Sequence, residues 1–167
     1  MSRSPGNDGI EVARLTPADW AEYKAIRLEA LQREPAAFAS TYAQSVTWPD
    51  ESWQQRLANP RCATFVARSM GQPVGLVGAC RGEDDAHAGE IVSMYVSAGM
   101  RRQGVGRRLL TAAIAHLATL PGITVIQLLV SPGQTAAQQL YAALGFRFQG
   151  AEDLSQDDAR FIMERPV

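Results

Sequence analysis

The sequence predicts an α/β fold, α+β in some schemes, in which a mixed sheet carries helices on both faces. Three observations predict it. The middle of the chain is β-rich, and behind it the order runs strand, helix, strand, helix. The stretch "ITVIQLLV" is a nearly unbroken β-branched and aliphatic run, as expected for a strand covered on both faces. Leu109, Leu110, Ala113, Ile114 and Leu117 recur at helical spacing and imply one buried helix face. With 167 residues, 46% of them apolar, the chain is long enough to bury a single core, so one domain over 1–167 is expected, with 1–9 disordered.

Taken in order, "IEVARL" reads as a short strand, and Thr16, Pro17 and Asp19 then supply an N-cap, an N1 proline and a first-turn acid for a helix from about Pro17 to Gln32. The aromatic-bearing segment "AAFASTYAQSVTWP" has no clean period and is expected to form an irregular, mobile cover. A short helix, "DESWQQRLA", follows it, capped by Asp50 or Thr47. "ATFVAR" and "VGLVGACR" flank the turn "SMGQP" as a hairpin, and the acidic loop "GEDDAHAG" leads to a strand "EIVSMYV". A helix from Gly104 ends at "LPG"; "ITVIQLLV" follows. Ser131 as N-cap, Pro132 at N1 and Gln134 at N3 then start a helix to Leu144, with Gly145 at C′. "FRFQG" and "ARFIMER" close the sheet.

The formal net charge is −1, which leaves no overall field to draw the chain to DNA or anionic lipid. The one strong basic cluster, Arg101, Arg102, Arg107 and Arg108, lacks the interleaved aromatic residues that stack on bases, so no nucleic-acid partner is expected. No apolar run approaches the roughly 20 residues that cross a bilayer, so no membrane partner is expected either. Cys62 and Cys80 have neither a metal-binding spacing nor the density of a stapled secreted domain, which points to free thiols and a cytoplasmic location. His87 and His116 pair with no other ligands at diagnostic spacing, so no metal is expected.

The stretch "GMRRQGVGRRLL" crowds four arginines around a helix start. A helix N-terminus already carries about half a positive charge, so each arginine there costs roughly 0.3–1 kcal/mol unless an anion neutralises it. Leu109 stands where the dinucleotide fingerprint needs its third glycine, and no Lys-Ser or Lys-Thr completes a P-loop. What remains is Arg101-x-x-Gly104-x-Gly106 between a strand and a helix, a setting in which small residues let backbone N–H groups approach an oxygen-rich anion.

Strand "EIVSMYV" followed by this turn resembles the acetyl-CoA pyrophosphate loop of the GNAT superfamily of N-acetyltransferases. Downstream, "SPGQTAAQQLYAALGF" is similar to the family pattern N-x-x-A-x-x-L-Y-x-x-x-G-F at Ala137, Leu140, Tyr141, Gly145 and Phe146, with Gln134 in place of the usual Asn. The resemblance implies a largely antiparallel sheet of six to seven strands. It also implies an acetyl-CoA-dependent transfer to a primary amine of a small molecule or of a protein, without a covalent enzyme intermediate; a non-catalytic acyl-CoA-binding module is the alternative.

In that reading the strands "EIVSMYV" and "ITVIQLLV" splay apart, and backbone groups of Met94, Tyr95 and Val96 hold the pantetheine arm and the carbonyl. Arg101, Arg102 and the N–H groups of Gln103, Gly104, Val105, Gly106 and Arg107 hold the pyrophosphate, and Gln134 makes a further cofactor contact. Tyr141 is the expected general acid, because a phenol with a pKa near 10 stays protonated at neutral pH and can donate to a thiolate whose conjugate acid is near 8.5. Glu90 is the expected base, with Glu29 and Asp85 as other acids that could reach the acceptor. Phe38 and Tyr42 are expected to line the acceptor pocket. The partners expected are acetyl-CoA and an amine, with a homodimer left open.

Overall fold

In the computed structural model, which describes residues 9–152 and 160–167, seven strands form one sheet in the order β1-β2-β3-β4-β5-β7-β6. The strands are β1 (Ile10–Arg14), β2 (Cys62–Ser69), β3 (Gln72–Arg81), β4 (Ala88–Val96), β5 (Val125–Val130), β6 (Arg147–Glu152) and β7 (Arg160–Pro166). Every neighbouring pair is antiparallel except β4 and β5, which run parallel. The helices are α1 (Trp20–Arg33), α2 (Tyr42–Ser45), α3 (Asp50–Ala58), α4 (Val105–Thr119) and α5 (Thr135–Ala143). Of the N-terminal residues expected to be disordered, 1–8 lie outside the described residues.

Local chemistry explains most boundaries. The Asp19 carboxylate accepts from the Thr16 backbone N–H at 2.7 Å and from its hydroxyl at 3.0 Å, closing a 3₁₀ turn over Pro17–Asp19 from which α1 continues. Met70 and Gly71, with φ of 51° and 79°, make the two-residue turn whose twist suits an antiparallel hairpin. Gly145, at φ 93°, ends α5 where the sequence expects it.

Several expectations are corrected. The segment before α3 is not wholly irregular, because Thr41 and Gln44 cap one another (Gln44 N–H to Thr41 Oγ1, 3.2 Å) and start the short α2. Pro49, rather than Thr47 or Asp50, is the N-cap of α3. Helix α5 starts at Thr135 with Gln134 as N-cap, because Ser131–Gln134 closes as a turn of its own through a 3.0 Å backbone bond. Strand β5 is covered on one face only: Ile126, Leu128 and Val130 are buried, whereas Leu129 is 52% exposed.

The cysteines are corrected as well. Cys62 and Cys80 face each other across the β2–β3 ladder with Cα atoms 4.1 Å apart and form a disulfide. They are 18 positions apart in sequence, and only the hairpin register brings them together. The free-thiol argument for a cytoplasmic location therefore no longer applies.

Two cores flank the sheet. On one face α4 buries Val105, Leu109, Leu110, Ala113 and Leu117 against Val77, Ile91, Ile126 and Leu128. Each buried leucine there contributes about 1.5–3 kcal/mol. On the other face, α1 and α3 bury Tyr23, Ile26, Ala30 and Trp53 against Val66, Leu76 and Tyr95. Strand β4 passes between the two cores. Gly89 and Ile91 face α4, since a Cβ added at Gly89 would meet the Leu117 side chain at 3.0 Å, so strand alternation turns Glu90 and Val92 toward the face that carries α1.

Candidate active site

The parallel ladder between β4 and β5 pairs Ala88 with Val125 and ends at Ile91 with Leu128. Beyond that point β4 continues to Val96 while it has lost β5 as a neighbour. On its other side, the β3 register moves from Gly78–Val92 to Leu76–Tyr95, so Ser93 and Met94 oppose Val77 alone. This is a β-bulge, and Ser93 takes a φ of 55° to make it. The consequence is a wedge in the sheet, with β4 backbone groups free to bind something placed in it.

The wedge leads to the start of α4. Gly104 caps that helix in the left-handed region, φ 80°, and Arg102 precedes it at φ 63°. The helical ladder opens with Arg108 N–H on the Gly104 carbonyl at 3.1 Å, so the N–H groups of the first turn lie before it, pointing out of the helix end. Gly106 allows the helix to press close: a Cβ there would come to 3.1 Å from Met94 Cε and 3.2 Å from Leu140 Cδ2. Main-chain donors of Gln103, Gly104, Val105, Gly106 and Arg107 thus gather beside Met94 and Val96, whereas the Val105 side chain is buried in the core.

The charge argument needs one amendment. Arg101 turns back on β4, donating from Nε to the Val96 carbonyl at 3.0 Å, and its guanidinium pairs with Glu34. The chain itself therefore neutralises this arginine. Arg102 and Arg107 are exposed at the helix start. Gln134 sits half-buried at the head of α5.

Tyr141 lies on α5, 7% exposed, its ring edge-on to Phe146 with centroids 6.1 Å apart. Its neighbour Leu140 faces Gly106, which sets the tyrosine beside the α4 start. Burial pushes its phenol up to about 12, and the negative charge of Glu34 adds to the shift. Tyr95 points the other way: it is buried in the α1 core, its hydroxyl donates to Glu29 at 2.8 Å, and its pKa also rises to about 12, by burial first and by that bond second. Only its backbone belongs to the wedge. The same oxygen, Glu29 Oε2, also accepts from Ser97 Oγ at 2.5 Å.

On the α1 face a cavity of about 160 Å³ opens beside the bulge, lined by Tyr23, Arg27, Arg56, Thr64, Val92 and Ser93 among others. Sequence reasoning missed Arg27 and Arg56. The legible signal was Arg27 itself, which stands inside the stripe Tyr23, Ile26, Ala30, Leu31 that α1 buries. Phe38 borders this site, with Arg27 stacked over its ring at 5.3 Å from the centroid. Tyr42 does not line the cavity. Glu90 lies on the same face, about 10 Å along the strand from Ser93. Its carboxyl is held above the usual range by burial and then by Glu83 and Asp84, with Arg61 opposing. Asp85 is occupied capping its own loop, accepting the His87 N–H at 2.8 Å.

The histidines are structural. His87 Nδ1 is 2.9 Å from the Gly122 carbonyl, and the His116 ring packs on Phe65 with centroids 5.9 Å apart. Among the described residues no three His, Cys, Asp or Glu side chains gather as a metal site, and no helix is long and apolar enough to cross a membrane.

Comparison with known proteins places this arrangement. Over 106 residues the chain is 34% identical to the N-acetylaspartate synthetase of Rattus norvegicus, a match covering 60% of this chain and 33% of that protein. It spans less than half the length of the curated relatives it matches. A GCN5-related N-acetyltransferase from Kribbella flavida superposes with a TM-score of 0.74 at 25% identity, covering 98% of this chain and 100% of that one. The Salmonella typhimurium protein yncA, solved with its cofactor acetyl-CoA, shares the fold at a TM-score of 0.77 and 18% identity over 95% of this chain and 94% of that one. The profile of the acetyltransferase (GNAT) family matches residues 24–146, and the chain belongs to that family.

Proposed function

We propose that this protein transfers an acetyl group from acetyl-CoA directly to a primary amine of a small molecule or a protein. The observation that carries the reading is the wedge between β4 and β5, opening onto a left-handed turn at the N-terminus of α4 with Tyr141 beside it. These residues fit the cofactor. An elongated pantetheine arm can pair with the free edge of β4 at Met94, Tyr95 and Val96. A pyrophosphate suits Arg102 and the N–H groups of Gln103–Arg107, with Arg101, paired with Glu34, at the edge of the same turn and able to exchange that partner for phosphate, and Gln134, half-buried at the head of α5, as a further polar contact. Bound there, acetyl-CoA supplies an activated thioester.

The chain's own residues do the rest. The bulge aims backbone donors at a carbonyl oxygen that gains charge as the amine attacks. As the C–N bond forms and the C–S bond breaks, Tyr141 donates its proton to the departing sulfur, and Glu90 takes the amine proton through water. Direct transfer is supported by the disulfide, which leaves no free cysteine among the described residues to carry the acetyl group. The test is a thiol-release screen with acetyl-CoA against polyamines, aminoglycosides, amino acids and N-terminal peptides. Amine-dependent release with acetylated product supports the reading. Tight CoA binding without release on any acceptor would replace it with a non-catalytic acyl-CoA-binding module.

A further inference from the structure

We infer that the acceptor carries a carboxylate close to its amine, as a free amino acid does, and that this carboxylate binds between Arg27 and Arg56 in the cavity beside the bulge. The inference deepens the acetyl-transfer reading and rests on it. Arg27 is only 4% exposed, yet no acidic side chain among the described residues pairs with it. Its Nη1 donates to Ser93 Oγ at 3.0 Å, its face stacks on Phe38, and its Nε is buried with no partner. Arg56 converges on the same cavity, with Nε on the Tyr23 hydroxyl at 3.1 Å and its guanidinium carbon 5.0 Å from the Trp48 ring centroid.

The acids that α1 could have offered are committed elsewhere: Glu22 to Arg68, Glu29 to Tyr95 and Ser97. Burial and the neighbouring Arg56 both press the Arg27 guanidinium toward losing its proton, and the Tyr23 oxygen offsets this only in part. A guanidinium keeps its charge regardless, so Arg27 is a buried cation with no carboxylate counter-ion among the described residues. Such a group is costly to leave alone, and it is repaid when an anion arrives. A guanidinium fork is shaped for two parallel hydrogen bonds to a carboxylate. The volume, about 160 Å³, is roughly that of five water molecules in the liquid, which suits a small molecule better than a folded segment. Because Arg27 bonds directly to Ser93 of the bulge, a carboxylate held there leaves an adjacent amine within one small molecule's length of the wedge.

The experiment compares free L-amino acids with the same compounds as α-carboxamides, in acetyl-CoA-dependent thiol release. In the wild type, kcat/KM for the preferred acid should exceed that for its amide by at least about 10²-fold, since the amide leaves both cations unpaired. Arg27→Met should bring that ratio close to one, Arg27→Lys should restore part of it, and CoA affinity by calorimetry should stay unchanged. Without ligand, Arg27→Met should keep or raise the thermal midpoint. A lowered midpoint with an unaltered acid-to-amide ratio would make Arg27 a structural clamp on Ser93 and overturn the inference. Arg56→Gln, at an exposed helix position, reads the same ratio if the Arg27 variant does not fold. Amides or carboxylate-free amines matching the acids in the wild type would also overturn it. If nothing is acetylated, calorimetry in the presence of CoA separates the two readings. Acids that bind where amides do not would uphold the carboxylate site while the transfer reading falls, and equal binding would sink the site itself.

Discussion

Tyr141→Phe removes a single hydroxyl and keeps the ring that packs on Phe146 and the α4 core. Because no hydrogen bond of that hydroxyl appears among the described residues, the variant should fold with close to native stability and bind CoA normally. If the phenol protonates the thiolate, the loss falls on the chemical step: kcat should drop by about 10²–10⁴-fold, or about 2.7–5.4 kcal/mol of transition-state stabilisation. The structure adds a pH signature. With its pKa pushed up to about 12, the phenol keeps its proton at pH values where an ordinary tyrosine is half-ionised, so Tyr141 should impose no alkaline limb on kcat below about pH 11. The same shift enters stability. The fold favours the neutral phenol, so the contribution is complete below about pH 10 and is lost as pH rises through about 12. Tyr141→Phe should reduce that alkaline loss. The assay is single-turnover thiol release, with calorimetry for CoA and thermal melts across pH. A Phe variant with near-native single-turnover rate would refute the acid role and leave Tyr141 as packing.

Three further outcomes are expected. Gly104→Val forces a branched side chain into a φ of 80°, which costs about 1–2 kcal/mol or more, so CoA dissociation constants should rise by about 5–30-fold; unchanged calorimetry would detach the loop from the pyrophosphate. Glu90 has a raised pKa, so kcat/KM should fall on acidification through a pH above the usual carboxylate range, near 4.3, and Glu90→Gln should abolish that limb; a limb that survives the substitution assigns the base elsewhere. Cys80→Ala opens a loop closed across a sequence separation of 18, which should cost about 3 kcal/mol, and melting should fall by roughly 6–12 °C; an equal melt with and without reductant in the wild type would contradict the bridge.

What the sequence made legible is the half of the site built from backbone. Gly104 and Gly106 are visible because glycine takes a φ of 80° without strain and leaves room for a contact as near as 3.1 Å, and a strand before them with a helix after them fixes where the open N–H groups point. Strand order within the sheet was less legible. Leu129 is exposed because no helix among the described residues covers that side of β5, which a β-branched run cannot reveal. The disulfide escaped for a similar reason. Cys62 and Cys80 meet because the Met70–Gly71 turn sets the hairpin register, and a spacing rule built for metal sites and small secreted domains does not test cross-strand pairing.

The acceptor half of the site depends on side chains whose meaning changes with burial, and Arg27 shows how. An arginine on a helix reads as a solvated residue, and the other thirteen arginines among the described residues fit that reading in lying half-buried or exposed. Arg27 differs in position alone: it falls three and four residues from Tyr23, Ala30 and Leu31, on the stripe that α1 turns to the sheet. A charge on that stripe is costly, so a chain that keeps one there without a carboxylate breaks a packing rule at a single point. The break lies where the bulge at Ser93 interrupts β4, on the strand whose other edge forms the wedge. One irregular strand thus stands between free backbone on the side of α4 and the cation that α1 holds against Ser93, and in the reading proposed above these are the two ends of a single reaction site.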